Sequence, residues 1–192
     1  MPHAHPAPAA PSNPAPVDSS RTGVRLFVMD VDGTLTDGTI TVGGDGDEVK
    51  SFHARDGAAI QFLKRAGIEP AIVTGRTSVA VSRRAAELGI KAVVQGVSDK
   101  AMAVRSLRYH RGLAPTAVGY IGDDLTDYLA MREAGFSAAP ADAAPEVRKI
   151  ATFVSTQPGG RGAAREAIEA LLKHEGRWAA VLSTFGCDGP AA

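Results

Sequence analysis

The chain has a single cysteine, Cys187 near its C-terminus, so no internal disulfide can form and a reducing, cytoplasmic setting is expected. It also has no net charge. Its 21 basic and 21 acidic residues cancel, leaving no electrostatic footprint for nucleic acid or a membrane surface, and a small-molecule partner is expected instead. No apolar run approaches the roughly 18 residues that span a bilayer. Neither an early positive charge nor an apolar stretch marks the start as a secretory signal, since the first Lys or Arg is Arg21. No internal repeat or second hydrophobic core is evident. At 192 residues and 44% hydrophobic composition, the chain suits one globular domain with a full core.

Six prolines fall between Pro2 and Pro16 among Ala, Ser and Asn, which predicts a disordered, partly extended tail over 1–24. His3 and His5 in it have no further metal ligands nearby. The domain proper is expected over 25–175, followed by a C-terminal tail over 176–192. That last stretch carries Trp178 and Phe185 among Gly and Pro, and has two readings: a disordered end, or a segment docked on a neighbour.

The chain is organised around Leu26-Phe27-Val28-Met29-Asp30-Val31-Asp32-Gly33-Thr34. Four apolar residues ending abruptly in a carboxylate predict a short strand buried on both faces, with a loop at its carboxyl end. Ligands of open α/β sheets bind at that end. Asp30 and Asp32, two apart on extended chain, point the same way and repel, and a hard divalent cation such as Mg2+ is the usual remedy. An acidic turn after a core strand is the plain alternative. Next, Thr39 to Val42 and Glu48 to Phe52 flank a Gly/Asp cluster and predict a hairpin that could act as a small flap. Asp45 and Asp47 in it fit turn chemistry better than calcium binding.

Strands then alternate with helices. Asp56 is expected to cap a first helix that stops at Gly67, and Pro70 to Val73 forms a strand ending in Thr74-Gly75-Arg76. A helix over Ser78 to Leu88 leads to a strand at Ala92 to Val94. Ser98 or Asp99 caps the next helix, which carries Lys100 in its first turn. A cation there opposes the helix dipole, so either a function or a plain solvated lysine accounts for it. The strand Ala117 to Ile121 ends in Gly122-Asp123-Asp124-Leu125-Thr126-Asp127, a second acidic cluster at a strand end and independent support for a metal site. A last core strand near Ala138-Ala139, Phe153-Val154, a Gly-rich turn through Arg161 and an amphipathic helix over Ala164 to His174 complete the pattern. This alternation predicts an α/β fold with a doubly wound parallel sheet.

Asp-x-Asp, then Thr, then Lys, then Gly-Asp-Asp-x-x-Asp, in that order over residues 25 to 127, resembles the four motifs of the haloacid dehalogenase-type phosphatases. The resemblance implies that Asp30 is a nucleophile forming an aspartyl phosphate and that Asp32 is the general acid and base. It implies that Thr74 holds a phosphoryl oxygen and that Lys100 neutralises charge. Mg2+ would be bound by the Asp30 carboxylate, the Asp32 carbonyl and Asp123, supported by Asp124 and Asp127.

Phe52 to Gly57, Val73 to Arg76, Gln95 to Lys100 and Pro158 to Glu166 further resemble the capless sugar-acid phosphatases, chiefly those acting on 3-deoxy-D-manno-octulosonate 8-phosphate. That family implies a homotetramer whose subunits cover one another's sites, a phosphorylated sugar acid as substrate, and a role in lipopolysaccharide precursor synthesis. It also implies a mobile Gly-rich loop near the site at Arg161, for which an ordinary surface turn is the plain alternative. Arg55, Arg76 and Arg84 are candidates for the substrate carboxylate because a guanidinium matches it bidentately, and each could equally be a structural ion-pair partner. Thr34, Gly75 and Arg161 join the candidate substrate-binding set. The related phosphatase for a nine-carbon keto-sugar acid has Glu where Arg76 stands, so Arg76 favours the octulosonate. Thr34 departs from the valine usual there. Three rival readings remain. A receiver domain has its phosphorylated Asp after a middle strand; a catalytically idle partner of a sugar-nucleotide enzyme is opposed by the complete set of side chains; a phosphatase for another sugar acid stays open.

Overall fold

The computed structural model describes residues 23–43 and 48–187. The proline-rich tail with His3 and His5, and the Asp45/Asp47 turn, lie outside the described residues. Strand β1 (Leu26–Met29) is wholly buried. A flap of β2 (Thr41–Val42) and β3 (Glu48–Val49) follows it, then α1 (Ala54–Arg65) and β4 (Glu69–Val73). Next come α2 (Val79–Leu88), β5 (Ala92–Val94), α3 (Lys100–Tyr109), a 3-10 turn at Pro115–Ala117 and β6 (Val118–Ile121). The order ends with α4 (Tyr128–Arg132), β7 (Phe136–Ala139), α5 (Pro145–Ile150), β8 (Phe153–Val154), α6 (Ala163–His174) and α7 (Trp178–Ser183).

Six strands form one parallel sheet in the order β5-β4-β1-β6-β7-β8, and β2 pairs antiparallel with β3 outside it. The sheet therefore runs one strand beyond the expected last one at Ala138-Ala139. From β1 the chain winds outward through β4 and β5, then crosses to β6 on the other side. That reversal puts a topological switch point at the carboxyl end of β1. Met29 pairs with Ile72 on one side and Ile121 on the other, so Asp30, Thr74 and Asp123 all leave the sheet at one edge.

The strands alternate their side chains between two cores. Phe27 and Met29 pack with Ile60 and Leu63 of α1 and with Ile168, Leu171 and Leu172 of α6. Leu26, Val28 and Tyr120 pack on the opposite face with Val104 of α3, Met131 of α4 and Val147 of α5. Burial on both faces is why these strands read as unbroken apolar runs.

Asp56 does not cap its own helix. His53 occupies the N-cap position of α1, and Asp56, inside the first turn, accepts hydrogen bonds from the Gly162 and Arg165 backbone N–H groups at 3.2 and 2.8 Å. Helix α6 starts after a glycine with no side chain of its own to cap it, so α1 supplies the acceptor across the domain. Asp56→Ala leaves buried N–H groups unsatisfied and is expected to cost about 2 kcal/mol, read as a lowered urea midpoint at unchanged m-value. A midpoint within error of wild type would contradict this assignment.

The segment after Gly176 forms α7 and folds back on its own chain. Trp178 and Phe185 meet the Phe62 ring edge-on at centroid distances of 5.8 and 5.5 Å, and the Arg65 guanidinium lies 4.5 Å from the Phe185 centroid.

Candidate active site

The loop after β1 turns sharply because Gly33 takes φ +83°, and a Cβ there would fall 2.1 Å from Asp123 Oδ2. Only glycine lets the first acidic loop close on the second. The turn is backed by the Gly-rich segment before α6, where the Gly160 N–H donates to the Thr34 carbonyl at 2.9 Å. A Cβ on Gly159 would sit 1.8 Å from the Gly33 carbonyl oxygen, so this segment is a packed support of the site loop.

Asp30 is 3% exposed and lies 2.8 Å from Lys100 Nζ. Lys100 is buried rather than solvated, at 7% exposure, and also donates to Asp127 Oδ1 at 2.7 Å. Burial opposes the Lys100 charge, but Asp30 and Asp127 outweigh it and raise its pKa above the ordinary lysine value. Asp30 is pushed well above the usual carboxylate range by burial and then by the Asp127 charge, against the pull of Lys100. Asp123 is raised to about 6, again by burial first and Asp127 second.

Three buried or half-buried carboxylates, Asp30, Asp123 and Asp127, gather around one lysine, an excess of negative charge. One carboxylate oxygen each from Asp30, Asp123 and Asp127 lies within 4.8 Å of the others. The three are not equivalent. Both Asp127 oxygens are engaged: Oδ1 accepts from Lys100 and from the buried Tyr120 hydroxyl at 2.6 Å, and Oδ2 accepts from the Asp123 and Asp124 N–H groups at 3.2 Å each. Asp127 is thus a buried anchor, while Asp30 and Asp123 face each other with oxygens to offer. A hard divalent cation fits that pair, because all-oxygen donors with net negative charge are what such an ion selects. The buried Thr34 hydroxyl donates to Asp123 Oδ1 at 3.3 Å, so Thr34 orients a carboxylate rather than lining the cleft.

The open cleft over this pair, about 350 Å³, is lined by Asp30, Asp32, Thr74, Gly75, Arg76, Lys100, Asp123 and Asp124, with Val97, Ser98 and Thr126. Arg76 is the one substrate-arginine candidate lining the cleft. Arg84 instead sits over Phe52 at 5.8 Å, pairs with Glu87 at 2.9 Å, and lines a separate small crevice with His53 and Asp56. Arg55 is exposed on α1, and Arg161 extends into solvent 3.8 Å from Asp37 Oδ2; neither lines the cleft.

Three residues were not singled out from the sequence. Tyr120 holds Asp127. Lys50, whose side chain is 2% exposed, pairs with Asp32, and Glu48 pairs with both Lys50 and Arg76. The available signal was the i, i+2 spacing of Glu48 and Lys50, which puts both on one face of a strand.

A haloacid dehalogenase-like hydrolase model matches residues 45–135. The 3-deoxy-D-manno-octulosonate 8-phosphate phosphatase KdsC of Escherichia coli K12 is 42% identical over 163 residues, 85% of this chain and 87% of that protein. The Moraxella catarrhalis 3-deoxy-D-manno-octulosonate 8-phosphate phosphatase, solved with magnesium, phosphate and KDO, is 43% identical with a TM-score of 0.81, covering 84% of this chain and 93% of that one. The cobalt-bound Haemophilus influenzae phosphatase is 38% identical with a TM-score of 0.78, covering 82% and 92%.

Proposed function

The chain belongs to the 3-deoxy-D-manno-octulosonate 8-phosphate phosphatases of the haloacid dehalogenase-like hydrolases, and on that premise we propose how its own residues release phosphate from that sugar acid. The observation that carries the assignment is Asp30, paired with Lys100 and facing Asp123 at the sheet's carboxyl edge, in a cleft that also holds Asp32, Thr74 and Arg76. Asp30 attacks phosphorus to give an aspartyl phosphate. Asp32 protonates the departing sugar oxygen, then takes a proton from the water that hydrolyses the intermediate. Thr74 holds a phosphoryl oxygen, and Lys100 offsets charge on Asp30 and on the group transferred. Mg2+, held by Asp30, the Asp32 carbonyl and Asp123 with Asp124 and Asp127 in support, supplies charge neutralisation and orientation of the phosphoryl group.

Arg76, about half exposed in the cleft, receives the substrate carboxylate. Arg55 and Arg84 take no part within one subunit. The outward-facing Ile40, Val42 and Val49 around the flap support a homotetramer, in which Arg161 is available to a neighbour's site. The lone, exposed Cys187 suits a reducing cytoplasm. Comparing kcat/KM on the octulosonate 8-phosphate, the nine-carbon acid phosphate and hexose phosphates tests the substrate. A strong preference for the first is expected, and a flat profile would remove it.

Metal binding should depend on pH. A folded-state pKa raised to about 6 means that, without the cation, the Asp123 carboxyl stabilises the fold below its ordinary value of 3.8, and this contribution is lost as pH rises through about 6. The cation needs the ionised form. The Tm increase given by Mg2+ is therefore expected to grow from pH 5 to pH 7. An increase that is constant or falling with pH would contradict Asp123 as a ligand.

A further inference from the structure

The flap inverts the usual placement of side chains. It turns Val42 and Val49 outward at 65% and 56% exposure, yet buries the lysine that follows β3. A long cation is seldom buried without a task or a partner. Lys50 has two partners, Asp32 Oδ1 and, at 3.2 Å, Glu48 Oε2. Glu48 Oε1 in turn accepts from Arg76 Nη2. Alternating charges thus run from Asp32 at the end of β1, through Lys50 and Glu48 on the flap, to Arg76 after β4.

We propose that Lys50 is a positioning residue for Asp32, held in place by Glu48, so that the flap forms part of the proton-transfer apparatus. This rests on the phosphatase reading above. With Oδ1 engaged by Lys50, Asp32 presents Oδ2 to the leaving oxygen. The Asp30–phosphorus bond forms as the phosphorus–sugar oxygen bond breaks, and the proton on Asp32 passes to that oxygen. Lys50 neither gains nor loses a proton. It restricts the carboxylate to the orientation in which transfer occurs, and proton transfer of this kind contributes roughly 10²–10⁴-fold.

The role makes a distinction that a merely structural lysine would not. A sugar alkoxide is a poor leaving group and needs the proton, whereas 4-nitrophenolate leaves largely without it. The value of kcat/KM reports the transfer step for both esters, whatever limits the later hydrolysis. Lys50→Met is expected to lower kcat/KM on the sugar-acid phosphate by about 100-fold and on 4-nitrophenyl phosphate by about 5-fold or less. Lys50→Arg, which keeps the cation, should recover most of the loss on the sugar ester. Glu48→Gln, which also releases Arg76, is expected to raise KM for the sugar-acid phosphate, whereas Lys50→Met should leave that KM near wild type, so the split between KM and kcat separates carboxylate binding from proton transfer. Equal losses on both esters, or no loss with Lys50→Met, would overturn the proposal while leaving the phosphatase reading intact. A wild-type chain inert on both esters would overturn that reading and this proposal with it.

Discussion

Asp30→Asn is expected to abolish phosphate release, lowering kcat by at least about 10⁴-fold, while leaving the protein folded. The amide has the shape of the carboxylate but cannot act as the nucleophile. Its effect on stability should run the other way. In the cation-free protein, burial and the Asp127 charge both disfavour ionised Asp30, and a neutral isostere removes that repulsion. Lys100 keeps its Asp127 partner at 2.7 Å. The Tm without Mg2+ should therefore match or exceed that of wild type, while the Tm increase given by Mg2+ shrinks. Circular dichroism melts with a phosphate-release assay on the same samples separate these effects. Retained activity would remove Asp30 from its assigned role, and inactivity accompanied by unfolding would make the loss uninformative about chemistry.

Asp127→Ala should be the most damaging single change to the fold around the site. Its carboxylate receives Lys100, the Tyr120 hydroxyl and two backbone N–H groups while fully buried. Removing it leaves the buried Lys100 with Asp30 as its remaining carboxylate and leaves the buried Tyr120 hydroxyl and two N–H groups without an acceptor. Breaking a buried pair from one side costs about 3–5 kcal/mol, more than most surface changes by an order of magnitude. Activity should fall by about 100-fold, because Lys100 loses one of its two anchors and the Asp123 loop loses its backbone tether. Chemical denaturation and steady-state kinetics at saturating Mg2+ check both parts. Near wild-type stability would show that Lys100 and Tyr120 find other partners.

The parts legible in the sequence were those set by local pattern. Buried parallel strands need unbroken apolar runs, so Leu26 to Met29 and the strand ending at Ile121 were visible, and the carboxylates that terminate them marked the sheet edge. Side chains that act across the chain were not. Asp56 has the chemistry of an N-cap and by local pattern belongs to its own helix, but the acceptor is needed 106 residues later at Gly162. Arg84 has the right chemistry for a carboxylate, but the face of α2 that carries it lies against Phe52 and Gly57, away from the cleft. Lys50 was hidden for the opposite reason. A charged residue beside a turn reads as solvated, and only the flap's position over Asp32 shows that it is buried.

An aspartyl-phosphate mechanism is decided by where the phosphoryl group goes. Octulosonate 8-phosphate labelled in its phosphate, mixed with excess enzyme and Mg2+ and quenched in acid within milliseconds, should leave label on the protein, and peptide mapping should place it on Asp30. Turnover with no trapped label under any quench time, or label on Asp32 or another side chain, would contradict the assignment.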